Sequence, residues 1–158
     1  IGDLDSINPE IKSSYLKNII SIKDQNDNDF RKALDWISTN IKLKKLYILG
    51  STGLREDHAI GNLTTFLYNK FEFEIEILTD TGIFHTINSN KSIKAFKGQC
   101  ISIFSINPNQ KIYTTGLKYE LTNNTLKTLY SGTLNLATQN NITIQTELGN
   151  PILLYAAY

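Results

Sequence analysis

The apolar positions along this chain change their period near its middle. From Asp29 onward, Phe30, Ala33, Leu34, Ile37 and Ile41 recur at helical spacing, which predicts an amphipathic helix capped by Asn28. Asn8-Pro9 marks an earlier helix start, a capping side chain followed by proline in the first turn. Residues 46–49 form a short apolar run stopped by Gly50, the pattern of a buried strand. A second helical face follows in Ile60, Leu63, Leu67 and Phe71, and residues 74–78 alternate as a strand does. Strand, loop, helix and strand at this spacing predict a βαβ unit, and with it a Rossmann-like parallel sheet.

Beyond about Asp80 the runs shorten and alternate. They fall at 83–87, 92–96, 101–106, 112–113, 143–146 and 152–155. Between them stand Thr81-Gly82, Lys97-Gly98, Asn107-Pro108-Asn109 and Gly149-Asn150-Pro151. Many short strands with such punctuation predict an antiparallel β-sandwich. The expected organisation is an α/β domain over residues 1–82 followed by an all-β domain over residues 83–158, with no long linker between them.

Composition narrows the function classes. With 16 basic and 15 acidic residues in 158, the net charge of +1 supplies no field for nucleic acid or an anionic membrane. No apolar run reaches the ~20 residues that a membrane span requires. Cys100 is the single cysteine, so neither an internal disulfide nor a cysteine-based zinc site is available. No basic-then-apolar leader opens the chain, and the expectation is a reducing, cytoplasmic compartment. The sequons at Asn62, Asn123 and Asn141 would matter only elsewhere.

Three stretches carry candidate chemistry. Asp3 and Asp5 flank one residue beside Gly2, an arrangement able to turn two carboxylates toward a hard cation, and equally that of a solvated turn. In DQNDND, Asp29 falls in the first turn of the helix expected there, where an acidic side chain also serves as plain capping. An EF-hand is excluded because Asp29 occupies the loop position that requires glycine. Gly50-Ser51-Thr52-Gly53 leads from strand into helix, where backbone N–H groups form an anion site. It has neither the Walker ending nor the three-glycine dinucleotide spacing. Arg55 offers a fork for phosphate, Asp57 a carboxylate and His58 an imidazole; a structural Arg–Asp pair would read the same way.

The order of these motifs resembles the thiamine pyrophosphokinase family, bacterial type, over essentially the whole chain. GDLDSI is similar to its Gly-Asp-x-Asp-Ser signature and DQNDNDFRKAL to its Asp-Gln-x-x-x-Asp-x-x-x-Ala-Leu segment. LGSTGLREDHAIGN resembles its glycine loop ending Arg-x-Asp-His-x-x-x-Asn, and TGLKYELTNNTL a Gly-Leu-Lys-aromatic stretch of its β domain. The resemblance implies pyrophosphate transfer from ATP to thiamine, giving thiamine diphosphate and AMP. It implies that Asp3, Asp5 and Asp29 hold Mg2+ against the ATP phosphates. It implies that Gln25, Gly50, Ser51, Thr52, Gly53 and His58 line the nucleotide site, with Arg55 and Asp57 at the transfer site. Asp57 is also a candidate acceptor for the thiamine hydroxyl proton. Tyr119 and Asn135 are the implied thiamine contacts, and a homodimer with a shared active site is the implied assembly.

Two departures qualify this. The family's serine–asparagine step appears as Leu134-Asn135, so only Asn135 carries over. The family's strand–helix segment before the first motif is absent from the sequence, which opens on the motif itself, so the α/β domain is expected to be N-terminally incomplete. Two other readings stand beside the enzyme. One is a non-catalytic nucleotide- or phosphate-binding module on the same scaffold, and the other is a structural β-sandwich interaction domain.

Overall fold

The structure, a computed structural model, describes residues 1–5, 7–146 and 150–158. Ser6 of the first motif and Gly149 of the last expected turn lie outside the described residues. Residues 1–42 form one unit and residues 43–158 a second.

In the first unit Gly2 makes a single parallel bridge with Ser21, its N–H donating to Ile20 O and its carbonyl accepting from Ile22 N. Helix α1, Pro9–Ser14, starts where the Asn8-Pro9 step predicts, with the Asn8 carboxamide accepting the Glu10 amide at 2.8 Å. A 3-10 turn over Leu16–Asn18 follows. Helix α2, Asp29–Asn40, is capped by Asn28, whose side chain accepts the Arg31 amide at 2.9 Å. The expected stripe lies on α2, although only Leu34 of it is fully buried. The other buried residue of the helix is Lys32.

The second unit begins with the expected βαβ unit. Strand β1, Lys45–Leu49, lies parallel to β2, Glu74–Leu78, and helix α3, Glu56–Tyr68, connects them. The sheet then turns back on itself. Thr79 caps a tight turn, its N–H and hydroxyl both donating to Gly82 O at 2.9 Å. This returns β3, Gly82–Ile87, antiparallel to β2. Four more short strands complete the middle of the chain: β4 (Lys91–Lys94), β5 (Cys100–Phe104), β6 (Ile112–Thr115) and β7 (Gly132–Leu136). The last two are β8, Asn141–Thr146, and β9, Ile152–Ala157.

The result is a mixed six-stranded sheet in the order β1-β2-β3-β9-β5-β7 and an antiparallel three-stranded sheet, β4-β8-β6. The parallel pair is therefore one end of the larger sheet and not a sheet of its own. Inward residues of both sheets, among them Ile93, Ile101, Ile103, Ile142, Ile144 and Leu154, merge into one buried apolar cluster. β-Branched side chains at every second position suit such a pleated, two-sided core. Helix α3 packs on β9, with Phe66 and Leu67 buried. Among the described residues no helix is long and apolar enough to cross a membrane.

Candidate functional site

The acidic residues of the first unit gather around a lysine. Lys32 Nζ lies 3.1 Å from Asp29 Oδ1 and 3.4 Å from Asp3 Oδ2, and only 4% of its side chain is exposed. The Asp3 amide donates to Asp29 Oδ1 at 3.1 Å, and Gln25 Nε2 donates to Asp3 Oδ2 at 3.3 Å. Asp3, Gln25 and Asp29, distant in sequence, are thus joined by direct contacts. Gly2 belongs to this arrangement for a steric reason: a Cβ there would fall on the Asp29 carboxylate.

Asp5 is joined to Asp3 through its backbone amide, which donates to Asp3 Oδ1 at 3.3 Å. Between them Leu4 adopts φ 65°, a left-handed conformation uncommon for a branched residue and typical of strained functional turns. The Asp5 side chain is exposed and has no partner among the described residues. No three His, Cys, Asp or Glu side chains form a ready cation cage among the described residues. The Asp5 amide above all, then the Lys32 charge, holds the Asp3 carboxyl below the usual range against the effect of burial. Burial opposes the Lys32 ammonium, yet the Asp29 hydrogen bond and the charges of Asp3 and Asp29 outweigh it and raise its pKa.

The glycine loop of the second unit builds a different site. Gly50 at φ 70° and Gly53 at φ 112° supply left-handed turns that an L-residue resists, and they fold the chain over the start of α3. Gly50, Ser51, Thr52, Leu54, Arg55, His58 and Asn62 line a cleft of about 400 Å³. The buried Ser51 hydroxyl has no hydrogen-bond partner among the described residues, while Asn62 Nδ2 donates to Ser51 O at 3.0 Å. Arg55 stands at the N-cap without a side-chain capping bond, so the amides of the first turn are not closed by their own cap.

Arg55 and Asp57 grip each other bidentately, Nε to Oδ1 at 3.0 Å and an Nη to Oδ2 at 2.6 Å. Both side chains remain about two-thirds exposed, at 66% and 63%. The Arg55 hydrogen bond, opposed by desolvation and aided by the His58 amide, lowers the Asp57 pKa to about 2. Gly53 and Asp57 do not line the cleft themselves.

Tyr119 and Asn135 also meet. The buried Asn135 side chain accepts the Tyr119 amide at 3.0 Å and donates to Tyr119 O at 2.7 Å. Asn135 therefore holds the Tyr119 backbone in place, and the ring stands 63% exposed with Lys118 Nζ 5.3 Å from its centroid. Leu134, where the family's serine would stand, is 84% exposed at φ 60°.

Sequence reasoning did not single out Lys32 or His85, and it carried Asn62 only as the last residue of the glycine-loop motif. Lys32 faces away from the apolar stripe of α2, and its only signal was the i, i+3 spacing from Asp29. Asn62 follows His58 by one helical turn, a spacing that puts both on one face. His85 on β3 is buried 3.2 Å from Glu76, itself 2.7 Å from Lys45. Nothing in the alternating strand pattern marks that group.

Comparison with known proteins supplies the context. A thiamin pyrophosphokinase catalytic-domain signature matches residues 1–79, and a thiamin pyrophosphokinase substrate-binding-domain signature matches residues 82–155. Thiamine pyrophosphokinase 1 of Oryza sativa subsp. japonica is 31% identical over 166 residues, covering 92% of this chain. Thiamine pyrophosphokinase 3 of the same plant is 29% identical over 141 residues, covering 79%. The chain spans 61% and 52% of the lengths of these two relatives. The crystal structure of thiamine pyrophosphokinase from Bacillus subtilis superposes with a TM-score of 0.76 at 22% identity, covering 98% of this chain and 76% of that one, a likeness of fold. With catalytic and substrate-binding signatures matched in order across both halves, the chain belongs to the thiamin pyrophosphokinase family.

Proposed function

We propose that the protein containing this chain transfers pyrophosphate from ATP to thiamine, giving thiamine diphosphate and AMP. The observation that carries this reading is the glycine-loop cleft, with an unpartnered Ser51 hydroxyl and a clamped arginine at the open start of a helix, in a chain of this family. Such a cleft suits a phosphate chain, because backbone amides, a hydroxyl and a guanidinium all donate to anionic oxygens.

In this reading residues 1–82, a Rossmann-like half, handle ATP, and residues 83–158, a β-sandwich half, present thiamine. The reaction joins the thiamine hydroxyl oxygen to the β-phosphorus, breaks the bond from that phosphorus to the oxygen bridging the α-phosphate, and releases the hydroxyl proton. Arg55, with two donors spent on Asp57, directs its remaining N–H groups toward phosphate oxygens. Asp57, ionised across the neutral range, orients Arg55 and is a poor proton acceptor. Gly50, Ser51, Thr52, Gly53 and His58 seat the nucleotide, Gln25 steadies Asp3, and Tyr119 offers a ring face to thiamine. Asp3, Asp5 and Asp29 suit a magnesium ion, since they supply hard carboxylate oxygens of which Asp5's and Asp29 Oδ2 remain open. When bound, that ion neutralises charge on the phosphate oxygens. Two subunits share each site, one lending Tyr119 from its β half, and the enzyme works in the cytoplasm.

The decisive assay follows AMP release from ATP by the full-length parent protein with magnesium, with and without thiamine. Thiamine-dependent AMP and thiamine diphosphate in equal amounts are expected. Tight nucleotide binding with no thiamine-dependent AMP would instead establish the non-catalytic module. Sedimentation at micromolar concentration checks the assembly, and a fully active monomer would overturn the shared site.

A further inference from the structure

The lysine under the carboxylates raises a question that the proposed reaction does not answer. Asp3 and Asp29 are held close enough to repel, yet no cation is needed to hold them there, because Lys32 Nζ touches one oxygen of each. Three of their four oxygens already accept bonds from the chain itself. Asp3 Oδ1 takes the Asp5 amide, Asp3 Oδ2 takes Gln25 and Lys32, and Asp29 Oδ1 takes the Asp3 amide and Lys32. Asp29 Oδ2 alone is left without a partner among the described residues.

We propose that Lys32 is an internal counter-ion that keeps the Asp3–Asp29 pair assembled but half-neutralised, so that the pair binds free divalent cation weakly. The inference rests on the reading of Asp3, Asp5 and Asp29 as the magnesium ligands. Its physical basis is competition for charge. A carboxylate oxygen that already accepts from a buried ammonium is a poorer ligand for a second cation. A hard cation bound through one or two open carboxylate oxygens must find its other ligands elsewhere, and phosphate oxygens are the natural source. Metal then enters this site as a complex with nucleotide and is not held between turnovers. The Lys32 ammonium contacts Asp3 and Asp29. It is a positioning residue that acts through Asp3 and Asp29.

The test is direct Mn2+ binding to the full-length protein without nucleotide, followed by electron paramagnetic resonance, for wild type, Lys32→Met, Lys32→Arg and Asp29→Asn. Lys32→Met removes the competing charge and should tighten Mn2+ binding by about tenfold, the effect of roughly one charge-assisted contact. Lys32→Arg keeps the charge and should bind as wild type does. Unchanged or weaker binding by a folded Lys32→Met protein would overturn the proposal. If Lys32→Met folds only when Mn2+ is supplied, as judged by circular dichroism, the cation has replaced the ammonium and the proposal stands. If it fails to fold even with Mn2+, the lysine is a structural member that no cation can replace, and the proposal is lost. Asp29→Asn separates the two levels of the argument. Should it leave wild-type Mn2+ binding untouched, the metal assignment itself fails, whatever Lys32→Met does.

Discussion

Two charge clusters in this molecule use the same chemistry under different solvation. In the first unit a lysine with 4% of its side chain exposed binds Asp3 and Asp29. In the second, Arg55 and Asp57 bind each other in nearly open solvent, at 66% and 63% exposure. The exposed pair is screened by water and contributes little to folding. The lysine-centred cluster cannot be exchanged for water. Removing its cation leaves two carboxylates facing each other, so that cluster is tied to folding. The exposed pair can be altered without disturbing the fold, whereas the buried lysine cannot.

Substitutions can break this contrast, and the largest effect belongs to a carboxylate. Asp29→Asn in the full-length protein should lower turnover on the order of a hundredfold or more, as loss of a group that stabilises transition-state charge does. Its amide can still accept from Lys32, so thermal unfolding should move only slightly. A variant equally active at saturating magnesium would remove Asp29 from the machinery. Arg55→Lys comes next. Lysine keeps the charge but loses the fork, and kcat/KM should fall about tenfold while Tm stays put. A clear drop in Tm would show that the exposed pair supports the fold after all.

Asn135→Ala sharpens the contrast from the buried, uncharged side. It removes both bonds to the Tyr119 backbone and should cost about 1–3 kcal/mol in urea unfolding, because buried polar groups lose their partners. The KM for thiamine should rise several-fold and that for ATP should not change. Equal rises in both would detach Tyr119 from thiamine. The smallest effect is expected at His85. Burial, reinforced by the charges of Lys91 and Lys45 and opposed by Glu76, lowers its pKa from 6.5. The unfolded chain therefore takes the proton first, and stability contributed by neutral His85 is present above pH 6.5 and lost as pH falls toward the lower folded value. His85→Gln should flatten the loss of urea midpoint between about pH 7.5 and 5.5, and an unchanged slope would assign the acid sensitivity to other groups.

Much of this was legible in the residues. The stripe starting at Phe30 marks α2, the Asn8-Pro9 step marks α1, and the runs at 46–49 and 74–78 mark the parallel pair. The second stripe finds α3, but its Ile60 is exposed and its Phe71 lies past the helix end at Tyr68. The run at 46–49, expected to be a buried strand, leaves Tyr47 and Leu49 exposed because it stands at the end of the sheet. Strand β7 escaped notice because Gly132, Asn135 and the left-handed Leu134 interrupt its alternation, and its register with β5 shifts between Ile101 and Ile103. The union of parallel and antiparallel strands in one sheet was hidden too, since periodicity says which face a strand buries and nothing about its neighbour. At the site, the motif order pointed to Asp3, Asp29 and the loop at Gly50–Gly53, whose chemistry depends on residue type. Lys32 and the Asn135–Tyr119 bonds depend on where the chain returns in space, which local spacing does not encode.

The catalytic and substrate-binding signatures meet between residues 79 and 82, which looks on paper like a natural crease. The sheet runs straight across it, with Glu76 registered on His85, Ile77 on Phe84 and Leu78 on Ile83. Backbone rungs stiffen that seam, so the strand leading into the glycine loop and the strands beyond Gly82 move as one plate. Any opening and closing during turnover must use other parts of the protein, and an insertion at residues 80–81 should lengthen a hairpin tip without loosening the two functions from each other.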